Sequence, residues 1–367
     1  MITFEWEEND AKKKFATFEK SGSVSWAIID LTEACNFRCK WCFANAGGIR
    51  DPHSMGLGTL ESLIGVLAGL GVRQVTFSGG EPTLYPHLRE AVSIARDSGM
   101  VVHMNTNGFL LTKRLAKDLA SAGLSQVQIN IDSVSPEKHD CVRGMAGSFA
   151  RSLQALENAR NAGMTCVSET VLTSDNEGEI EDVFRLARRL RIGRLRVWDM
   201  TPSRGRARGN ADLLPKNYLG VLQRMADFAQ ENGARSIEVG DPIFIHHVRT
   251  QLPVSGGYCA FARGMIMYIS VRGDVFFCCT MRDRMYNIFE QIDKGQDLAG
   301  VHRREIARYL KGFPVPERCG SCAAADSCAG GCLTRRDFSG HGADYLCAGI
   351  PVPRADGGAG GHAEMSK

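Results

Sequence analysis

Three cysteines stand within eight residues, Cys35-x3-Cys39-x2-Cys42. Thiolates at that spacing can hold three corners of an iron–sulfur cubane. A cubane takes four ligands, so one iron would be left open to a substrate or cofactor. Unrelated buried thiols are the bland alternative, and at the chain's mean cysteine frequency this spacing would arise by chance only ~0.02 times. Zinc is the rival metal, but a structural zinc site wants four protein ligands, and neither a fourth cysteine nor a close histidine pair is at hand.

A second set lies at the other end, where eight of the thirteen cysteines follow residue 258. Cys319-x2-Cys322-x5-Cys328-x3-Cys332 has metal-binding spacing, and chance would produce that array only ~0.0006 times. Around it stand Cys259, Cys278 and Cys279 before and Cys347 after. Residues 319–347 hold five cysteines among Gly, Ala and Ser with little to form an apolar core, so something other than hydrophobic burial must staple them. Cys141 and Cys166, between the two sets, read as inert thiols.

These groups need a scaffold. The chain has 367 residues, 44% hydrophobic and 23% charged, which suits one large α/β domain with a smaller one and excludes a disordered chain. A net charge of +3 is too near neutral to argue for a nucleic-acid or membrane surface. No run of 18 apolar residues and no basic-then-apolar start is present, so the expected compartment is the cytoplasm, where thiols stay reduced.

Strand and helix patterns alternate through the first two thirds. Strands are expected at 24–32, 73–78, 100–105, 125–132, 164–172 and 194–200. Helices are expected at 57–70, 86–98, 112–122, 148–162, 177–190 and 215–231. Six parallel βαβ units predict an open barrel, since a closed one wants eight. From about Ile237 the pattern turns irregular, apart from a hairpin over 265–278 turning at Arg272-Gly273-Asp274. The expected division is an N-terminal extension (1–23), the barrel (24–235), a cysteine-rich domain (236–350) and a disordered tail (351–367).

Read together, Cys35-x3-Cys39-x-Trp41-Cys42 resembles the signature loop of radical S-adenosylmethionine (SAM) enzymes. The resemblance implies a [4Fe–4S] cluster whose open iron chelates SAM, and reductive cleavage of SAM to methionine and a 5′-deoxyadenosyl radical. Gly79-Gly80-Glu81-Pro82, ending the second strand, is similar to the family's GGEP turn for the methionyl ammonium. Glycines admit close backbone approach and a carboxylate suits an ammonium. Asn105-Thr106-Asn107-Gly108 resembles the family's TNG turn. Asn130-Ile131-Asp132-Ser133 stands where relatives carry Ser-Leu-Asp-Gly, which makes Asn130 a ribose contact. His139-Asp140-x2-Arg143-Gly144 also matches, with Arg143 as a partner for the SAM carboxylate. The implied SAM-binding set is therefore Trp41, Gly79, Gly80, Glu81, Pro82, Asn105, Asn107, Asn130 and Arg143. Thr170 and Trp198 are further candidates for the adenosyl pocket, or else barrel core.

The C-terminal thiols resemble the SPASM extension of that family, which carries two auxiliary iron–sulfur clusters. The resemblance assigns Cys319, Cys322, Cys328 and Cys347 to a distal cluster and Cys259, Cys278 and Cys332 to a nearer one. The nearer set lacks a fourth cysteine. That place falls to Cys279, to a non-cysteine ligand or to an open iron where substrate could bind; Cys279 could instead be a catalytic hydrogen or proton donor, or simply pack. Sulfatase-maturing relatives carry a basic Asp at its position, so that activity is disfavoured.

Two functions follow as expectations. One is oxidative modification of a ribosomally made peptide or protein, with the auxiliary clusters accepting the surplus electron from an intermediate radical. Cys42-Phe43-Ala44 resembles peptide maturases. With only about 23 residues before the first strand, leader binding would need a separate leader-peptide-binding protein or be dispensed with. The other is dehydrogenation, epimerisation or decarboxylation of a small molecule such as a sugar, aminocyclitol, nucleoside or tetrapyrrole. Arg204, Arg206 and Arg208, after the sixth strand, could grip its carboxylate or phosphate, or else form a solvated loop. Either would draw electrons from a flavodoxin- or ferredoxin-type donor.

Overall fold

The computed structural model describes residues 1–6, 24–320, 322, 328–339 and 344–347. The expected tail and residues 7–23 of the expected N-terminal extension lie outside the described residues. Strand β1 (Ile2–Glu5) opens the chain and β2 (Trp26–Thr32) runs into the first cysteine loop. Then follow α1 (Leu57–Gly69), β3 (Gln74–Gly79), α2 (Leu88–Asp97), β4 (Val101–Thr106), α3 (Lys113–Ala122) and β5 (Leu124–Asn130). Helices α4 (Pro136–Arg143) and α5 (Ser148–Asn161), β6 (Thr165–Leu172), α6 (Ile180–Arg189) and β7 (Arg194–Asp199) complete the alternation. Strands β2 to β7 pair in parallel in chain order, the six-stranded open barrel that the alternation predicts.

The local signals act as physical chemistry requires. Thr112 caps α3 by accepting from Leu115 N at 3.2 Å, and Gly123 ends that helix at φ +117°, where a side chain would be strained. Ser135 caps α4, with Pro136 in its first turn.

The remaining elements extend the same sheet. They are α7 (Gly205–Arg208), α8 (Tyr218–Glu231), β8 (Ser236–Val239), α9 (Pro242–His247), β9 (Val254–Gly256) and β10 (Ile266–Ile269). Last come β11 (Asp274–Phe276), β12 (Arg284–Asn287), α10 (Ile288–Asp293), α11 (Leu298–Lys311) and α12 (Leu333–Ser339). The expected hairpin is β10–β11; Gly273 turns it at φ +81°, where a Cβ would lie 2.3 Å from the Phe289 ring.

Two departures from the sequence reading matter. The first strand is β1, not the one near residue 24: its four residues lie antiparallel between β7 and β8. A four-residue strand carries too short an alternation to stand out. The sheet also continues past residue 236, with β10 pairing in parallel alongside β2. Among the described residues no helix is long and apolar enough to cross a membrane.

Successive strand residues point to opposite sides. One side packs against the helices: Ala27, Ile29 and Leu31 of β2, Val75 and Phe77 of β3, Val127 and Ile129 of β5, and Leu195 and Val197 of β7 are buried there with Leu60, Leu63 and Ile64 of α1. The other side, the lumen, is polar. Gln74, Thr76, Gln126, Gln128, Glu169 and Arg194 are buried along it. A closed barrel fills that space with branched apolar side chains; this one lines it with hydrogen-bonding groups.

Candidate active site

The first cysteine loop leaves the C-terminal end of β2, the edge at which α/β sites form. Cys39 is buried, and Cys35 and Cys42 are half-buried. Burial pushes the Cys35 thiol up to about 12, with the charges of Glu81, Cys39 and Cys42 adding to it. Burial likewise raises Cys39 to about 11, against the pull of Arg143. The three sulfurs thus share one neighbourhood with Glu81 and Arg143. Among the described residues no three donors converge on one point as a single metal ion requires. A cubane does not demand that, because its ligands bind different irons.

The glycine turn after β3 presses against this loop. A Cβ on Gly79 would stand 2.4 Å from Thr32 O, and one on Gly80 2.1 Å from Ala34 O. Only glycine permits that approach. Gly80 N donates to Thr32 O at 2.7 Å and Glu81 N to Ala34 O at 2.8 Å. Pro82 then starts a short 3-10 turn. The Glu81 carboxylate is 1% exposed and already accepts four hydrogen bonds. They come from Thr83 N (3.0 Å), Thr83 Oγ1 (2.7 Å), Thr106 Oγ1 (2.6 Å) and Asn107 N (2.7 Å). It staples the GGEP turn to the TNG turn, a role the motif by itself did not suggest. Asn107 carries the link onward, its Nδ2 donating to Asn36 Oδ1 of the cysteine loop at 2.8 Å. Asn105 shares the lumen side of β4 with His103, in register with Gln128.

Arg143, at the C-terminus of α4, is 4% exposed, so it is no solvated loop residue. Its guanidinium lies 4.9 Å from the Trp41 ring centre and 5.4 Å from that of Phe37. It pairs with the buried Asp132 at 3.5 Å. Asp132 Oδ2 and Arg143 Nε and Nη1 are buried without a hydrogen-bond partner among the described residues. Nη1 and Oδ2 are the two atoms of that ion pair, so the buried donor left for a ligand to meet is Arg143 Nε.

Asn130, expected at the ribose, points along the lumen to Glu169, with Nδ2 3.5 Å from Oε1. Register puts Asn130, Glu169, Arg196, Thr3 and Glu238 in one row across β5, β6, β7, β1 and β8. Gln128 Nε2 donates to Glu169 Oε2 at 2.6 Å, and Arg196 Nη1 donates to Gln128 Oε1. Sequence reasoning missed Glu169 and Arg196, because their meaning depends on which strands are neighbours. Trp198 shares their face. Thr170 does not line it, correcting that expectation: its hydroxyl donates to Ile131 O at 2.8 Å on the side that Cys166 and Leu172 share.

Burial raises the Glu169 carboxyl to about 7, although Arg196, Trp198 and Asn130 pull it down. The folded state therefore holds a proton that the unfolded chain has lost above its ordinary value of 4.5. Stability falls as pH rises from about 4.5 to about 7, by on the order of 3 kcal/mol. Glu169→Gln should match wild type in urea unfolding at pH 4 and exceed it at pH 8 by a large part of that amount. Equal stability at both pH values would refute the protonated carboxyl.

The C-terminal thiols fall into two groups. Cys278 is held at about 6, chiefly because the Cys279 thiol bonds to its sulfur; Thr280 Oγ1 lies 3.3 Å away. Cys279 is raised, first by that bond and by burial, then by the charges of Glu169 and Cys332. Desolvation raises the half-buried Cys259, and the charge of Cys278 adds to it. Cys279 packs with Ile28, Ile266, Tyr268 and Phe276, whereas Cys278 joins the main core. Separately, Cys319, Cys322 and Cys328 lie within electrostatic reach of Cys347. Cys141 is exposed, and Cys166 is buried with its Sγ 3.5 Å from Leu156 O.

The arginines after β7 do not form the anion grip that the sequence suggested. Arg204 pairs with Asp283 at 2.5 Å, Arg206 turns into the cysteine loop, and Arg208 is exposed.

Comparison with known proteins gives three kinds of likeness. The family model described as the radical SAM superfamily matches residues 29–187. The chain is 33% identical over 320 residues to "Mycofactocin maturase MftC" of Mycobacterium ulcerans, covering 85% of this chain and 83% of that protein. It is 28% identical over 338 residues to "AdoMet-dependent heme synthase" of Methanosarcina barkeri, covering 88% of this chain and 93% of that protein. Its fold matches that of Streptococcus suis SuiB bound to S-adenosylmethionine with a TM-score of 0.66 at 18% identity, over 89% of this chain and 77% of the other.

Proposed function

The chain belongs to the radical SAM superfamily, and from that membership we propose that it oxidatively modifies a ribosomally made peptide or protein. Membership makes it a radical SAM enzyme and implies a [4Fe–4S] cluster and SAM. When bound, these supply a 5′-deoxyadenosyl radical that removes a hydrogen atom from the substrate. The residues suit that group. Three thiols share a loop, two glycines open the backbone beside it, and Arg143 keeps a buried Nε without a hydrogen-bond partner among the described residues. Cys35, Cys39 and Cys42 would hold the cluster. Gly79, Gly80, Glu81, Pro82, Asn105, Asn107, Asn130, Trp41 and Arg143 would shape the SAM pocket.

The peptide substrate rests on one observation, the identity to a maturase over 85% of the chain. The polar lumen supports it, since Gln128, Asn130, Glu169 and Arg196 offer donors and acceptors to peptide amides. Cys259, Cys278 and Cys332 would hold one auxiliary cluster, and Cys319, Cys322, Cys328 and Cys347 the other, in a SPASM extension spanning about 236–350. Loss of an electron to these centres and of a proton would complete a two-electron oxidation. Cys279 lies within electrostatic reach of Glu169 in the lumen, as a residue meeting the substrate would. A flavodoxin- or ferredoxin-type protein would supply the reducing electron, and a separate protein would present the leader peptide.

The likeness to a heme synthase favours a second reading, a tetrapyrrole substrate. Anaerobic incubation with SAM and reductant separates the two, using any short precursor peptide found encoded beside the gene in one arm and iron-coproporphyrin in the other. A mass loss in the peptide supports the proposal; conversion of the porphyrin alone overturns it. The same preparation should bind on the order of 8–12 iron atoms per chain. Stoichiometric zinc without sulfide would refute the cluster assignments.

A further inference from the structure

The cysteine loop has almost no regular structure, and its backbone groups must find partners elsewhere. On one side Arg38 N and Lys40 N donate to Arg143 O and Val142 O, at 3.3 and 2.9 Å. The carbonyls on the other side are met by one short segment, 160 residues away. Arg206 N donates to Cys42 O at 2.9 Å. Arg206 Nε donates to Cys39 O at 2.9 Å, Nη2 to Ala46 O at 2.6 Å and Nη1 to Asn45 Oδ1 at 3.0 Å. Asn210 Nδ2 donates to Lys40 O at 3.2 Å. Gly205, at φ +60°, lies so close that a Cβ would stand 2.4 Å from Cys42 O and 2.5 Å from Phe43 O.

We infer that Gly205, Arg206 and Asn210 form a clamp on the carbonyl edge of the three-cysteine loop, with Arg206 the positioning residue that sets the thiols for cluster binding. The planar guanidinium spans three acceptors at fixed angles, which a lysine ammonium cannot do. The same segment reaches the C-terminal thiols: Ser203 Oγ donates to Thr280 O at 3.2 Å, and Arg204 binds Asp283. It therefore joins the loop to the turn that follows Cys278.

The test needs no peptide, so it is independent of the substrate reading. Arg206→Ala and Arg206→Lys are compared with wild type by hydrogen exchange of peptides from 36–48 before reconstitution. Iron and sulfide counts and EPR with and without SAM follow reconstitution. Arg206→Ala should exchange faster at 36–48 while β4 and β5 stay unchanged. It should lose about four irons per chain together with the SAM-responsive signal. Arg206→Lys should recover part of both. Where Arg206→Ala does not fold, Asn210→Ala decides, with a smaller rise in exchange at 36–48. Unchanged exchange there, a rise spread equally over β2–β7, or unchanged iron and SAM response in Arg206→Ala would overturn the clamp.

Discussion

Protein carrying Cys39→Ala together with Cys42→Ala makes no detectable 5′-deoxyadenosine from SAM under reducing conditions. Three thiolates are the fewest that can hold a cubane with one iron open, and the double substitution leaves only Cys35. Neighbouring thiols cannot stand in. Cys141 is exposed, and Cys278 and Cys279 bond to each other in the turn that follows β11. The burial that raises Cys35 and Cys39 to about 12 and 11 also means that metal binding must displace their protons. Cys141→Ala is the control and should retain full 5′-deoxyadenosine formation. Chromatographic detection of 5′-deoxyadenosine at the wild-type rate in the double variant would remove the loop from the reaction.

Arg335→Met should lower the unfolding free energy by about 3–5 kcal/mol, the usual cost of stranding buried charge. Arg335 is 1% exposed and binds three aspartates. It reaches Asp241 at 2.9 Å through two bonds, Asp344 at 2.8 and 2.9 Å, and Asp199 at 3.0 Å. These come from the ends of β7 and β8 and from the far C-terminal segment, so one side chain ties that segment to the barrel. Burial alone would raise Asp241, and the guanidinium more than reverses this, holding it at about 2. Its stabilisation is present above the unfolded carboxylate value and lost as pH falls toward 2. Without the arginine that carboxyl would rise. The deficit of Arg335→Met should therefore be largest near pH 7 and shrink below pH 4, as protonation discharges the stranded aspartates. Urea unfolding at both pH values measures it. A deficit under about 1 kcal/mol at pH 7 would show the network to be dispensable.

Much of the site was legible because its signals are local. Cys35, Cys39 and Cys42 lie within eight residues, so no arrangement of the rest of the chain can separate them. Gly79-Gly80 needs its glycines because the turn meets the end of the preceding strand. The six strands of the barrel were visible as six separate alternations. The short β1 was not, and neither was α11, whose buried Leu298, Val301 and Ile306 fall in a stretch read as irregular.

The amino-acid sequence by itself determined which groups carry the chemistry and the run of strands that delivers them to one edge. Tertiary structure alone decided what those groups touch. Glu81 became a staple between two turns rather than a free carboxylate. Arg206 became a clamp rather than an anion grip. Asn130, Glu169 and Arg196 became one row only once β5, β6 and β7 lay side by side. Arg335 gathered aspartates from positions 199, 241 and 344. The reason is range. Spacing over a few residues is set by covalent geometry, whereas partners separated by tens to hundreds of residues meet only when the sheet order is complete.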